Sequence, residues 1–269
     1  MRTLIRVLFL ALVATILVLF AVACKSGDGG PVDLVSADPA AALDASAERF
    51  AREVDSLQAD LTVTVNAGGF EVEAAADMAF QGPDRMHMTM EFTGLGTFEL
   101  VLLGRELYVN MPGRGWVAFS LGDTGLSEFG LDAATFGKLM NDHSMVDYYS
   151  LVERLGGNVE NVGEETLDGG TFHHYRATLD FTDMAAVFSD AFGAISSFGL
   201  DNLRGPMTLD VWVDPAKALP HRIDAKGAFP FGTAKLTFDA SMRFFAYNEP
   251  VEIPGAPPDA VPYALLGGP

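Results

Sequence analysis

The sequence predicts an α+β protein: one strongly curved antiparallel β-sheet of about eleven strands, with helices packed on its apolar face. Three observations carry this. Apolar and polar residues alternate with period two in segment after segment. The joints between these segments are short and rich in Gly, Pro, Asn and Asp. Helical spacing is confined to a few stretches. With 269 residues, 49% of them apolar, the chain is long enough to bury one large core.

Residues 1–23 differ in kind from the rest. Arg2 and Arg6 are their only charges, and from Val7 to Ala23 only Thr15 is not apolar. A basic start, an apolar run and small residues before a cut site make a secretory signal peptide. The rival reading is a retained transmembrane helix, because the run nearly reaches the ~20 residues that a span needs. Ala21 and Ala23 stand at −3 and −1 to Cys24, the only cysteine, and "KSGDGGPVD" follows as a flexible tether. "AVAC" resembles a bacterial lipobox, which implies cleavage before Cys24 and a diacylglycerol on its thiol. On either reading the remainder lies outside the cytoplasmic membrane. The expected location is extracytoplasmic, anchored by lipid to the cell membrane or an outer membrane.

Residues 24–37 read as the lipidated cysteine and its tether. A helix follows, with Asp38 as N-cap and Pro39 at the first helical position. Leu43, Ala47, Phe50, Val54 and Leu57 recur at helical spacing on one face. Strands then run in series: "LTVTVN" (61–66), "FEVEAAADMAF" (70–80), "RMHMTMEF" (85–92), "TFELVLL" (97–103), "ELYVNM" (106–111) and "GWVAFS" (115–120). Short joints between alternating strands imply an antiparallel meander with one apolar face. Residues 132–155 read as helical. "NVENVGEETLD" and "GTFHHYRATLDF" form a hairpin about "DGG" (168–170). Thr182 caps an unusually apolar helix at 183–200. Three strands close the sheet: "MTLDVWVD" (207–214), "LPHRIDAKGAF" (219–229) and "TAKLTFDASMRFFAY" (233–247). A proline-rich, mostly extended tail follows, of which 259–269 lie beyond the domain.

Composition excludes several functions. The formal charge is −19, and loss of Arg2 and Arg6 with the signal peptide takes it to −21. Such a surface repels phosphate backbones and anionic headgroups, so no nucleic-acid partner is expected. One cysteine allows neither an internal disulfide nor a Cys-based zinc cluster. No G-x-S-x-G, H-E-x-x-H or phosphate loop occurs, so neither an enzyme nor a cofactor is expected. Adjacent His173 and His174 point to opposite faces of a strand and are poorly placed to share a metal. Glu164 and Glu165 stand beside a turn and read as solvated surface.

The remaining candidates are apolar. Met86, Met88, Met90 and Phe92 share one face of a strand and give a soft surface suited to acyl chains, or ordinary core packing. Leu100, Phe238 and Met242 belong to the apolar faces of other strands. Phe188, Phe192, Ile195 and Phe198 line the helix at 183–200, as the wall of a cavity or as a buried core helix.

Between residues 38 and about 258 the chain resembles the LppX/LprAFG type of bacterial lipoprotein, and its fold resembles that of the carriers LolA and LolB. The stretches that carry this are "SLQADLTVTVN" directly after a short amphipathic helix, "GRELYVNMPGRGWVAF", "VWVDPAKALPHRIDAKG" and "YNEPVEIPGAP". The resemblance implies an open half-barrel with helices on its concave apolar face, an apolar cavity, and binding or carriage of a lipid or lipidated molecule. It also implies envelope transport proteins as partners. The helix at 132–155 is an addition to the smaller members of that group. The alternative is a structural, interaction or envelope-sensor module of the same fold with a filled core.

Overall fold

The computed structural model describes residues 38–82, 84–120, 158–180, 204–231 and 234–266. The expected signal peptide, Cys24, the expected tether and the helices expected at 132–155 and 183–200 lie outside these residues. The described chain begins with helix α1 (Pro39–Glu53). Twelve strands follow: β1 (Ser56–Ala67), β2 (Phe70–Gln81), β3 (Arg85–Phe92), β4 (Gly96–Leu103), β5 (Glu106–Met111), β6 (Gly115–Ser120), β7 (Asn158–Leu167), β8 (Gly170–Asp180), β9 (Pro206–Val213), β10 (Pro220–Phe231), β11 (Ala234–Phe245) and β12 (Val261–Pro262). A turn of 3-10 helix, Tyr263–Leu266, ends the description.

All twelve strands belong to one unclosed curved sheet, in the order β12-β6-β5-β4-β3-β2-β1-β11-β10-β9-β8-β7. Two antiparallel meanders, β1–β6 and β7–β11, are joined by the pairing of β1 with β11. The first and last long strands therefore meet near the middle, and the edges are β7, from the middle of the chain, and the short late strand β12. β12 is the addition to the expected eleven. Its two residues pair parallel with β6, and Tyr263 then stacks on Phe119 with ring centroids 4.9 Å apart.

Turn chemistry fixes the register. At the β7–β8 hairpin Leu167 pairs with Gly170, so only Asp168 and Gly169 turn the chain. Their φ values are 51° and 80°, the left-handed pair that a two-residue hairpin requires. Between β9 and β10, Asp214 accepts the backbone N–H groups of Ala216 and Lys217 on one carboxylate oxygen, closing an Asx-type turn.

Helix α1 starts at the expected place by a different bond. The Asp38 carbonyl accepts the Ala42 N–H, while its side chain makes no capping bond. The helix ends at Val54, which is extended. Leu57 is thus not on the helical stripe; it is the first inward residue of β1, buried at 5% exposure. The buried side of α1 is Ala42, Leu43 and Ser46, with Phe50 edge-on to Phe244 and Tyr247 at 6.0 Å from each. Asn248 clamps the exit: its side-chain oxygen accepts the Asp55 N–H and its amide donates to the Glu53 carbonyl.

Candidate functional site: the apolar face of the sheet

One face of the sheet is apolar along rows that cross it. Cross-strand register sets Tyr175, Val211, Ile223, Met242, Leu61, Ala76, Met90 and Phe98 side by side, from β8 to β4. The next row holds Ala177, Leu209, Ala225, Ala240, Val63, Ala74 and Phe92. Beyond it run Leu179, Met207, Gly227, Phe238, Val65 and Val72. On the other side stand Phe244, Ala59, Met78, Met88, Leu100, Val109 and Val117. Strict alternation in each strand places these residues together, because a period of two sends every second side chain to one face.

Of the sequence-derived candidates, those within the described residues lie on this face. Met88, Met90, Phe92 and Met242 are buried in its main cluster, to which α1 contributes Ala42 and Leu43. Leu100 and Phe238 are partly buried against that cluster, and Leu100 also touches a second one, of Leu102, Leu107, Val117 and Phe119. Met86 packs against the second cluster. Phe188, Phe192, Ile195 and Phe198 lie outside the described residues.

The composition of the face is uneven. Its middle is short: Ala59, Ala74, Ala76, Ala177, Ala225 and Ala240 alternate with longer side chains, and Gly227 has none. The ring of Phe229 lies over Gly227, and a Cβ there would stand 2.3 Å from its Cζ. Between the small residues lie flexible thioethers, Met78, Met88, Met90, Met207 and Met242, all buried. Polar groups are few. Tyr175 is wholly buried, and burial pushes its phenol up from the ordinary range. His173 and Ser46 are buried too, at 6% and 3% exposure.

The opposite face carries an ionic network that motif reading missed. His174 is buried between two carboxylates, with Nδ1 3.1 Å from Glu165 and Nε2 2.7 Å from Asp210. Its ring stacks on Trp212 at 4.4 Å, and the Trp212 indole donates to Glu165 over 2.8 Å. Arg176 donates to the same Asp210 oxygen, also at 2.7 Å. Arg222 forks onto Asp224 at 2.7 and 2.8 Å beside the Trp212 ring, and those bonds hold its guanidinium above the ordinary range. Arg243 donates to Asp60 on β1. Glu165 is therefore not simply solvated surface: it is half-exposed yet holds two buried rings. A signal existed, since His174, Arg176, Asp210, Trp212, Arg222 and Asp224 sit at even positions in consecutive strands, opposite to the apolar ones. Among the described residues no group of three His, Cys, Asp or Glu is placed to hold a metal ion, and no helix is long and apolar enough to cross a membrane.

No protein-family model matches the chain, and no curated protein matches it. Among solved structures it is similar to LprF from Mycobacterium bovis, at 16% identity and a TM-score of 0.42, over 75% of this chain and 89% of that one. It is similar to the Mycobacterium tuberculosis lipoprotein LppX at 12% identity and a TM-score of 0.43, over 80% and 98% of the two chains. A LolA-superfamily protein from Nitrosomonas europaea follows at 11% identity and a TM-score of 0.28, over 84% and 96%. The likeness is one of fold. These are the groups that the sequence resembles.

Proposed function

We propose that the protein is an envelope lipoprotein, held to a membrane by acylated Cys24, whose domain binds the acyl chains of a lipid or lipidated molecule against the concave apolar face of its half-barrel. The observation that supports this is the make-up of that face. A core built only for packing favours Leu, Ile, Val and Phe, whose rotamers are well defined. Here the central rows combine alanine and glycine, which keep the surface low, with methionines that reshape at little cost. Such a surface accommodates chains of varied length and kink. The remaining apolar residues, Phe188, Phe192, Ile195 and Phe198, are proposed to complete the enclosure. Transfer from bilayer to protein is nearly neutral in this scheme, because each methylene leaves one apolar surroundings for another and water gains none of the ~0.8 kcal/mol at stake.

Native mass spectrometry of protein purified without residues 1–24 tests the reading. Co-purifying lipid, or a mass increase after incubation with native membrane extract, is the expected result. A clean mass under both conditions sinks it and favours the filled-core interaction module.

A further inference from the structure

His173 and Ser46 are out of character with the face they occupy. His173 lies on β8 two residues before Tyr175, in register with wholly buried Val213 of the main cluster. Ser46 is on the buried side of α1, which contacts β7 and β10, the strands that flank β8 and β9. Both are more than nine-tenths buried. Among the described residues neither side chain has a hydrogen-bond partner. This contrasts with His174, one residue along, whose two nitrogens both meet carboxylates. A buried hydroxyl or imidazole without a partner costs about 1–3 kcal/mol, and most buried polar side chains are paired. Alanine and phenylalanine would fill the same space without that cost.

We propose that His173 and Ser46 hydrogen-bond the polar junction of a bound lipid, the ester or hydroxyl oxygens where acyl chains meet their backbone. This rests on the lipid-binding reading above and narrows it: the site selects chains that carry an oxygenated junction over bare hydrocarbon. The imidazole donates to an ester carbonyl or accepts from a hydroxyl, and the serine hydroxyl does either. The surrounding rows, Tyr175–Val211–Ile223 and Val213, take the chain beyond the junction. The junction is thereby placed at the β8 end of the face, beneath α1, with the chains directed toward the methionines of β2 and β3.

The test uses the full chain anchored in phosphatidylcholine vesicles and two photoreactive probes with the same diazirine-bearing sixteen-carbon chain. One is a monoacylglycerol, the other the plain alkane. Labelled fraction is read by intact mass. Wild type is expected to label with the monoacylglycerol at about tenfold lower concentration than with the alkane, the ratio one buried hydrogen bond supplies. His173→Phe should lose most of that preference, so that the two probes label at similar concentrations. His173→Gln, which keeps a donor and an acceptor, should retain part of it, and Ser46→Ala should lower it less than His173→Phe does. An undiminished preference in His173→Phe overturns the inference and leaves the lipid reading standing. Loss of the folded state in His173→Phe overturns it too, since the imidazole would then be serving structure. Labelling of wild type by neither probe removes both.

Discussion

Asp210 is the most exposed point of failure in the ionic network on the polar face, and its removal gives a sharp test of how that network holds β8 to β9. The carboxylate is buried at 7% exposure, and one of its oxygens receives both His174 Nε2 and Arg176 Nε at 2.7 Å. In Asp210→Ala these two donors fare differently. The Arg176 side chain is 40% exposed and regains water, so its bond contributes only about 0.5 kcal/mol net. The His174 ring is 6% exposed, walled in by Trp212, and keeps one carboxylate where it had two. Loss of a buried charge-assisted bond with its donor stranded costs about 2–3 kcal/mol. The expected total is ~3 kcal/mol. Urea unfolding followed by the fluorescence of Trp212 and Trp116 is the assay; at a slope of ~2–3 kcal/mol/M the midpoint falls by about 1 M. Asp210→Asn keeps the shape and one acceptor and should lose only about 1 kcal/mol. A midpoint shift below about 0.3 M for the alanine variant would refute the reasoning, because it would mean that water already satisfies His174.

Other outcomes follow from single sites. Tyr247 donates to the Pro220 carbonyl, and burial, helped by the nearby Asp214 charge, pushes its phenol up from the ordinary range. With the folded value above the unfolded ~10, stability is intact below pH 10 and falls above it by about 1.4 kcal/mol per pH unit; Tyr247→Phe should flatten that slope by one proton in unfolding curves taken from pH 9 to 11. Gly227→Ala drives a Cβ to 2.3 Å from the buried Phe229 ring and should cost about 1–3 kcal/mol in melting experiments, whereas the pair Gly227→Ala with Phe229→Leu should recover part of it. Cys24→Ser removes the proposed acylation site, so the protein should move from the detergent-rich to the aqueous phase on cloud-point separation; unchanged partition would point to the retained transmembrane helix instead.

Alternation made most of the strands legible. β3, β5 and β6 coincide with the sequence reading to the residue, because Met-x-Met-x-Met and Leu-x-Val-x-Met leave one register open and glycines flank these segments in the sequence. Leu57 misled because a helix continued by one more turn beyond Glu53 and a strand's first inward position look alike in sequence. Strand order was harder: the pairing of β1 with β11 joins Gln58 to Phe245 and Ala67 to Leu236 across most of the described chain, and nothing local in Thr62 or Ser241 announces it. β12 is two residues long and has no period to read. On the apolar face, the methionine strand was legible as a stripe, while the alanine rows appear only once six strands are set in register. On the polar face the alternation rule assigns sides and not depth: beside half-exposed Glu165, Trp212 and the long arginines flank His174, Asp210 and Asp224, which are buried.

The sheet's two boundaries, β7 at one side and β12 at the other, exchange no hydrogen bonds. In a closed barrel every change of girth must break or shift a ladder. Here the margins can spread or draw in while each of the eleven pairings keeps its partners, because bending between neighbouring strands leaves their bonds intact. Among the described residues the ladders therefore fix register and leave width unconstrained. On the lipid-binding proposal, guests of different girth would be met by the same set of hydrogen bonds at a different opening, and the amide exchange rates of the central strands should not reveal which guest is present.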